Sequence, residues 1–140
     1  MIHAQNTKTV QLFLPQSVAT NGTASGTVNL QNWDEAKVIL QLSTASSANT
    51  DALVRISEGD TTSVFATATD TNMTTAAPNT TNGQNYIWYL DLRKRKKFLK
   101  IEYSPSASAA RVAAASVELS RAEQAPITAA GRGADAQVIS

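Results

Sequence analysis

The sequence predicts an all-β domain of about eight short strands in a two-sheet jelly roll or β-sandwich, with an extended arm at each end. Three observations predict it. Short segments of alternating apolar and polar residues recur along the chain, separated by Thr, Ser, Asn and Gly clusters. No segment holds a convincing helical period. The apolar content is also thin: hydrophobic residues make up 42% of the 140, but 23 of them are Ala. A core built from so few large side chains suits the space between two small sheets.

The elements follow in order. In Thr9–Leu14, Val10, Leu12 and Leu14 alternate with Thr9, Gln11 and Phe13, and Pro15 is expected to close the strand. Asn21-Gly22 is a turn, since both residues tolerate positive φ. Gly26–Leu30 is a second strand. Trp33-Asp34-Glu35 leads into Lys37–Ser43, whose run of Val38, Ile39, Leu40 and Leu42 predicts a strand covered on both faces. Leu53–Glu58 alternates, and Glu58-Gly59-Asp60 turns the chain. Ser63–Ala68 is a weak strand or one helical turn. Residues 69–85 hold almost no large apolar side chain and read as one long loop.

The two strongest strands come next. Tyr86, Trp88, Leu90 and Leu92 share a face of one, and Leu99, Ile101 and Tyr103 share a face of the other. Ala107–Ala115 has helical propensity, but Val112 and Val117 and the neighbouring strands favour a strand over Arg111–Ser120. The predicted core is Leu12, Leu40, Leu42, Ile56, Trp88, Leu90, Leu99, Ile101 and Val112. The expected organisation is an N-terminal arm (1–8), one sandwich domain (9–121) and a flexible C-terminal arm (122–140).

Composition removes several function classes. Cysteine is absent, which excludes disulfide scaffolds, thiolate metal sites and cysteine nucleophiles. No apolar run approaches the roughly 20 residues of a membrane helix. The start, Met-Ile-His-Ala-Gln-Asn, lacks the basic and apolar regions of a signal peptide. A soluble domain made in the cytoplasm is expected. Three sequons, at Asn21, Asn72 and Asn79, are what 17 Thr residues produce by chance.

Chemistry is equally sparse. The one histidine is His3, near a terminus where no rigid surroundings tune it. Acidic residues are scattered, and turn formation already accounts for Glu58 and Asp60. Asp70-Thr-Asn72 is too thin for a calcium loop. No phosphate-cradling glycine motif is present. No catalytic residue, metal site or cofactor is expected, and the chain is read as a non-enzyme without a small-molecule substrate.

Charge is the unusual feature. Net charge is only +1, yet six of the twelve basic residues fall within 93–100: Arg93, Lys94, Arg95, Lys96, Lys97 and Lys100. The first 90 residues carry three basic and six acidic groups, the rest nine and five. Three readings stay open. The cluster docks onto an acidic partner or a sister subunit. It is the solvated tip of a hairpin between Tyr86–Leu92 and Lys97–Tyr103. In third place, it binds nucleic acid, with Trp88, Tyr89 and Phe98 stacking on bases.

Two stretches have a further significance: Tyr89-Leu-Asp-Leu-Arg-Lys-Arg-Lys-Lys-Phe-Leu-Lys-Ile101 and Glu118-Leu-Ser-Arg-Ala-Glu-Gln-Ala-Pro126. They resemble capsid decoration (cement) proteins of tailed bacteriophages and prophages, a jelly-roll group. Ile56-Ser-Glu-Gly-Asp-Thr-Thr62 is similar in style, and looser likeness spans residues 8–126. Lys94 departs from the pattern, which has glycine there, and makes the connection more basic. The resemblance implies a non-enzymatic virion protein on the outer surface of an expanded head. It implies a homotrimer bridging major capsid protein subunits, with Arg93, Lys94, Arg95, Lys96 and Lys97 as the contact and the arms as clasps. Competing expectations are a tail- or fibre-associated protein, a carbohydrate-binding jelly roll using Trp33 or Tyr89, and a single-stranded nucleic-acid binder.

Overall fold

Alternation sorts side chains to two faces of each strand, and the apolar faces of two sheets close on one another. The computed structural model describes residues 7–44, 51–68, 83–105 and 110–122. Among these are eight strands: β1 (Lys8–Val18), β2 (Ala24–Asn29), β3 (Trp33–Leu42), β4 (Asp51–Gly59), β5 (Ala66–Thr67), β6 (Gln84–Asp91), β7 (Phe98–Pro105) and β8 (Arg111–Ala122). They form two antiparallel sheets of four, in the orders β1-β8-β3-β6 and β2-β7-β4-β5. Strand 1 thus pairs with 8, 2 with 7, 3 with 6 and 4 with 5. That nesting is one long hairpin rolled over itself, the strand order of a jelly roll.

The core lies between the sheets. Val38, Leu40 and Val117 from one sheet and Leu99, Ile101 and Tyr103 from the other are fully buried. Each such side chain contributes about 1.5–3 kcal/mol of transfer free energy. Eight of the nine predicted core residues are buried. Asn21 takes φ 59° in the Asn-Gly turn between β1 and β2, and the Gly22 amide donates to the Ala19 carbonyl at 2.8 Å. β1 and β2 approach closely at Gly26, where a Cβ would lie 2.0 Å from the Leu12 carbonyl oxygen. Only glycine fits there.

Several expectations need correction. Val112 is 44% exposed, and Arg111, Ala113, Ala115, Val117 and Leu119 form the inward face of β8 instead. The small Ala113 and Ala115 hid the true parity. Pro15 does not end β1. It sits at a register irregularity of an edge strand, where its missing N–H breaks no ladder. Irregularity in β1 also lets the consecutive Leu12 and Phe13 both be buried. β3 is covered on one face only: Ile39 is half-buried and Gln41 exposed on the other. Lys8, placed in an arm, begins β1, and Ala122 ends β8.

The largest correction concerns β6 and β7, which are not a hairpin. β6 is an edge strand beside β3, whereas β7 lies between β2 and β4 in the other sheet. Each carries a full apolar face, and a connection that crosses between sheets lets both faces reach the common core. The arm residues 1–6 and 123–140 lie outside the described residues. So do His3, residues 69–82 of the expected loop, and the sequons at Asn72 and Asn79.

Candidate functional site

Strand ends define two ends of the sandwich. At one, called here the near end, Gly59 opposes Phe98, Glu35 opposes both Asp91 and Ser120, and Trp33 opposes Ala122. The Leu30 amide donates to the Lys97 carbonyl at 2.8 Å, tying the β2–β3 turn to the basic run. The start of β1 and the end of β8 lie at this end too, since Lys8 opposes Leu119.

The basic run is the β6–β7 connection, and local structure fixes it. Leu92–Lys94 form a single 3-10 turn anchored by the buried Leu92. Asp91 caps it, accepting the Arg93 backbone amide at 3.1 Å. The Arg93 guanidinium also grips Asp91 with two parallel bonds, Nε to Oδ1 at 2.9 Å and Nη2 to Oδ2 at 2.7 Å. Those side-chain bonds first, and the backbone amide second, bring the Asp91 carboxyl down to about 2. The same contact raises Arg93 further above its already high value.

The remaining cations divide. Arg95 turns inward: its side chain is 13% exposed, and Nη1 lies 3.7 Å from Glu58 Oε2. Glu58 continues the inward face of Val54 and Ile56, so this pair covers the end of the apolar core. Lys96 Nζ is 3.5 Å from Asp60 Oδ2 in the turn after β4. Lys97 Nζ stands 5.3 Å from the Phe98 ring centroid. Among the described residues, Lys94 and Lys97 have no carboxylate within ion-pair distance, whereas Arg93, Arg95 and Lys96 do. The five-residue cluster expected to act as one surface is therefore two uncompensated lysines set among three internal pairs.

A concavity of about 270 Å³ opens beside it, between Gln31 and Asn32 of the β2–β3 turn, with Trp33 at the start of β3, and Arg95, Lys96 and Lys97 of the connection. Leu30 and Leu92, both buried, also line it. Asn32 takes φ 72°, the left-handed conformation that turns the chain into β3. Sequence reading missed this wall: nothing in Gln31-Asn32 marks a turn that packs against residues more than sixty positions later. It also gave Glu58 and Asp60 only a turn role.

The outer faces of the sheets differ. On β2-β7-β4-β5, Glu102 is buried beneath cations: Arg55 Nε donates to Oε2 at 2.6 Å, Lys100 Nζ lies 2.9 Å from Oε1, and Ser57 Oγ is 3.4 Å from Oε2. Burial pushes this carboxyl up, but the bonds from Arg55 and Lys100 outweigh it and hold it below its usual value. On β1-β8-β3-β6, Tyr89 is 76% exposed beside a groove of about 500 Å³ that Lys37, Glu35, Asp91 and Glu118 also line. Trp33, the other aromatic singled out, is half-buried.

No set of three or more Asp, Glu or His side chains gathers as a metal site among the described residues. Compared with known proteins, the chain matches no family model and no curated protein.

Proposed function

We propose that this chain is a non-enzymatic virion structural protein, a capsid decoration protein that binds the outside of an expanded phage head and bridges major capsid protein subunits. One observation carries the reading. The two stretches that resemble the decoration group, 89–101 and 118–126, and the stretch similar in style, 56–62, are far apart in sequence, yet their described parts converge on the near end. Glu35 alone stands opposite both Asp91 and Ser120. A likeness that collects on one surface fits a shared contact better than shared packing.

The physical action is mass action. A protein that binds only the assembled, expanded shell stabilises it by RT ln(1 + [L]/Kd), about 2.7 kcal/mol per site at a hundredfold excess over Kd. Attachment as a homotrimer adds avidity. The near end, where Lys94 and Lys97 of the connection have no ion pair among the described residues, is the docking element. Neither a membrane nor a nucleic acid is part of this reading.

Co-sedimentation with expanded, empty heads assembled from the cognate capsid protein tests it, with unexpanded shells as control. Saturable binding to expanded heads alone is expected. Binding to neither overturns it and moves a tail-associated role ahead. A second reading has one specific observation behind it: the exposed Tyr89 ring over the groove on the β1-β8-β3-β6 sheet offers a platform for a sugar. Glycan binding that disappears in Tyr89→Ala would favour it.

A further inference from the structure

Resting on the reading of the near end as a docking surface, we infer that the concavity between the β2–β3 turn and the basic connection receives a glutamate side chain from an acidic segment of a protein partner. Its shape and chemistry point to that occupant. Leu30, Leu92 and Trp33 supply the apolar lining, and Lys96 and Lys97 supply ammonium groups. A methylene stem lies against the first group while its charged head reaches the second. Gln31 and Asn32 also line the concavity, and a side-chain amide is a donor suited to a carboxylate oxygen.

The surrounding charges argue for a carboxylate partner over a nucleic acid. Within the connection, Lys94 and Lys97 have no carboxylate at ion-pair distance among the described residues. A nucleic-acid footprint needs a wider basic stripe that neutralises several phosphates. Here Asp91, Glu58 and Asp60 each neutralise one cation of the run, which leaves too few free charges to track a phosphate backbone. An acidic protein segment needs only a few cations at fixed spacing. It also finds one ready to exchange: the Lys96–Asp60 contact is long, and the Asp60 side chain is 75% exposed. Such a pair holds little free energy, so an incoming carboxylate replaces Asp60 at small cost. Arg95, also in the lining, stays with Glu58.

The test is a titration of the full chain with hexaglutamate, followed by amide and indole shifts in ¹H–¹⁵N spectra. Hexalysine and a thymidine oligonucleotide are run in parallel. Shifts at Asn32, the Trp33 indole and Lys97 with hexaglutamate alone are expected, weakening as salt rises. The double variant Lys96→Ala/Lys97→Ala should bind about tenfold more weakly with an otherwise unchanged spectrum. No shift at these residues, or tighter binding of the oligonucleotide, overturns the inference. Head binding separates it from the broader proposal. If expanded heads bind the double variant as well as the parent and hexaglutamate is ignored, the pocket is wrong and decoration stands. If hexaglutamate occupies the pocket and neither head form binds, the pocket stands and decoration falls.

Discussion

The two ends of the sandwich solve one problem in different ways. An inward strand face must leave the core somewhere, and at each end the next inward position is charged. At the far end it is Arg111, 1% exposed, with Nε donating to the Ser43 carbonyl at 2.8 Å and Nη1 to the Gln84 side chain at 3.3 Å. At the near end it is Glu58, met from the connection by Arg95 at 3.7 Å. The far guanidinium is enclosed and joins β8 to the ends of β3 and β6. The near pair is looser and lies beneath a surface of further charges. Burial has committed the far arginine to the fold, whereas the near end keeps charge within reach of a partner.

That contrast is open to test, beginning with its largest effect. Arg111→Met should cost about 3 kcal/mol in urea unfolding, since it strips buried charge-assisted hydrogen bonds from three strand ends. A loss no larger than that of Arg95→Met would erase the distinction between the ends. Glu102→Gln gives a mid-sheet reference, with an expected loss of about 2 kcal/mol, because Arg55 and Lys100 can still turn to water. Its pH dependence has a definite sign. Glu102 titrates lower folded than unfolded, so its stabilisation is complete above the unfolded value near ~4.3 and fades as pH falls through the folded one. The Gln variant should flatten the acid limb of the stability curve.

Smaller effects sharpen the picture of the near end. Arg95→Met should cost about 1 kcal/mol, measured in the same urea series, because the cation partner of a half-buried carboxylate is lost while an apolar cover remains. Lys94→Ala/Lys97→Ala should leave stability within about 0.5 kcal/mol of the parent, as expected for surface positions. A larger change would make these lysines part of the fold and remove them as contacts. Least of all in stability, the Asp91 carboxyl should titrate near about 2 by NMR and return toward its usual range in Arg93→Ala. A midpoint unmoved by that substitution would detach the cap from the guanidinium fork.

Fold class was legible because alternation is a strong signal where side chains are large. Trp88, Leu90, Leu99 and Ile101 announce their faces. It failed where they are small: along Ala113, Ala114 and Ala115 neither parity is written in size, and Val112 pointed to the wrong face. Proline misled at β1 because its cost depends on whether the strand is at an edge, a property of the completed sheet. The site was half legible. A run of five cations is visible in any reading and the Asp91–Arg93 pair is local, but which of the others Glu58 and Asp60 neutralise is decided by a crossover between sheets. Pairing across such distances leaves no local mark.

The nested strand order also sets the sequence of events by which the chain reaches its fold. Only β4 and β5 close a short loop, with Ser57 opposite Thr67. Each pair outward spans more chain, until Lys8 meets Leu119. Closing a longer loop costs only about 0.6 kcal/mol per doubling, yet topologies dominated by distant pairings fold slowly, in roughly milliseconds to seconds. The outermost pair, β1 with β8, also completes one edge of its sheet. In refolding, protection of β1 amides should therefore trail that of β4 and β7.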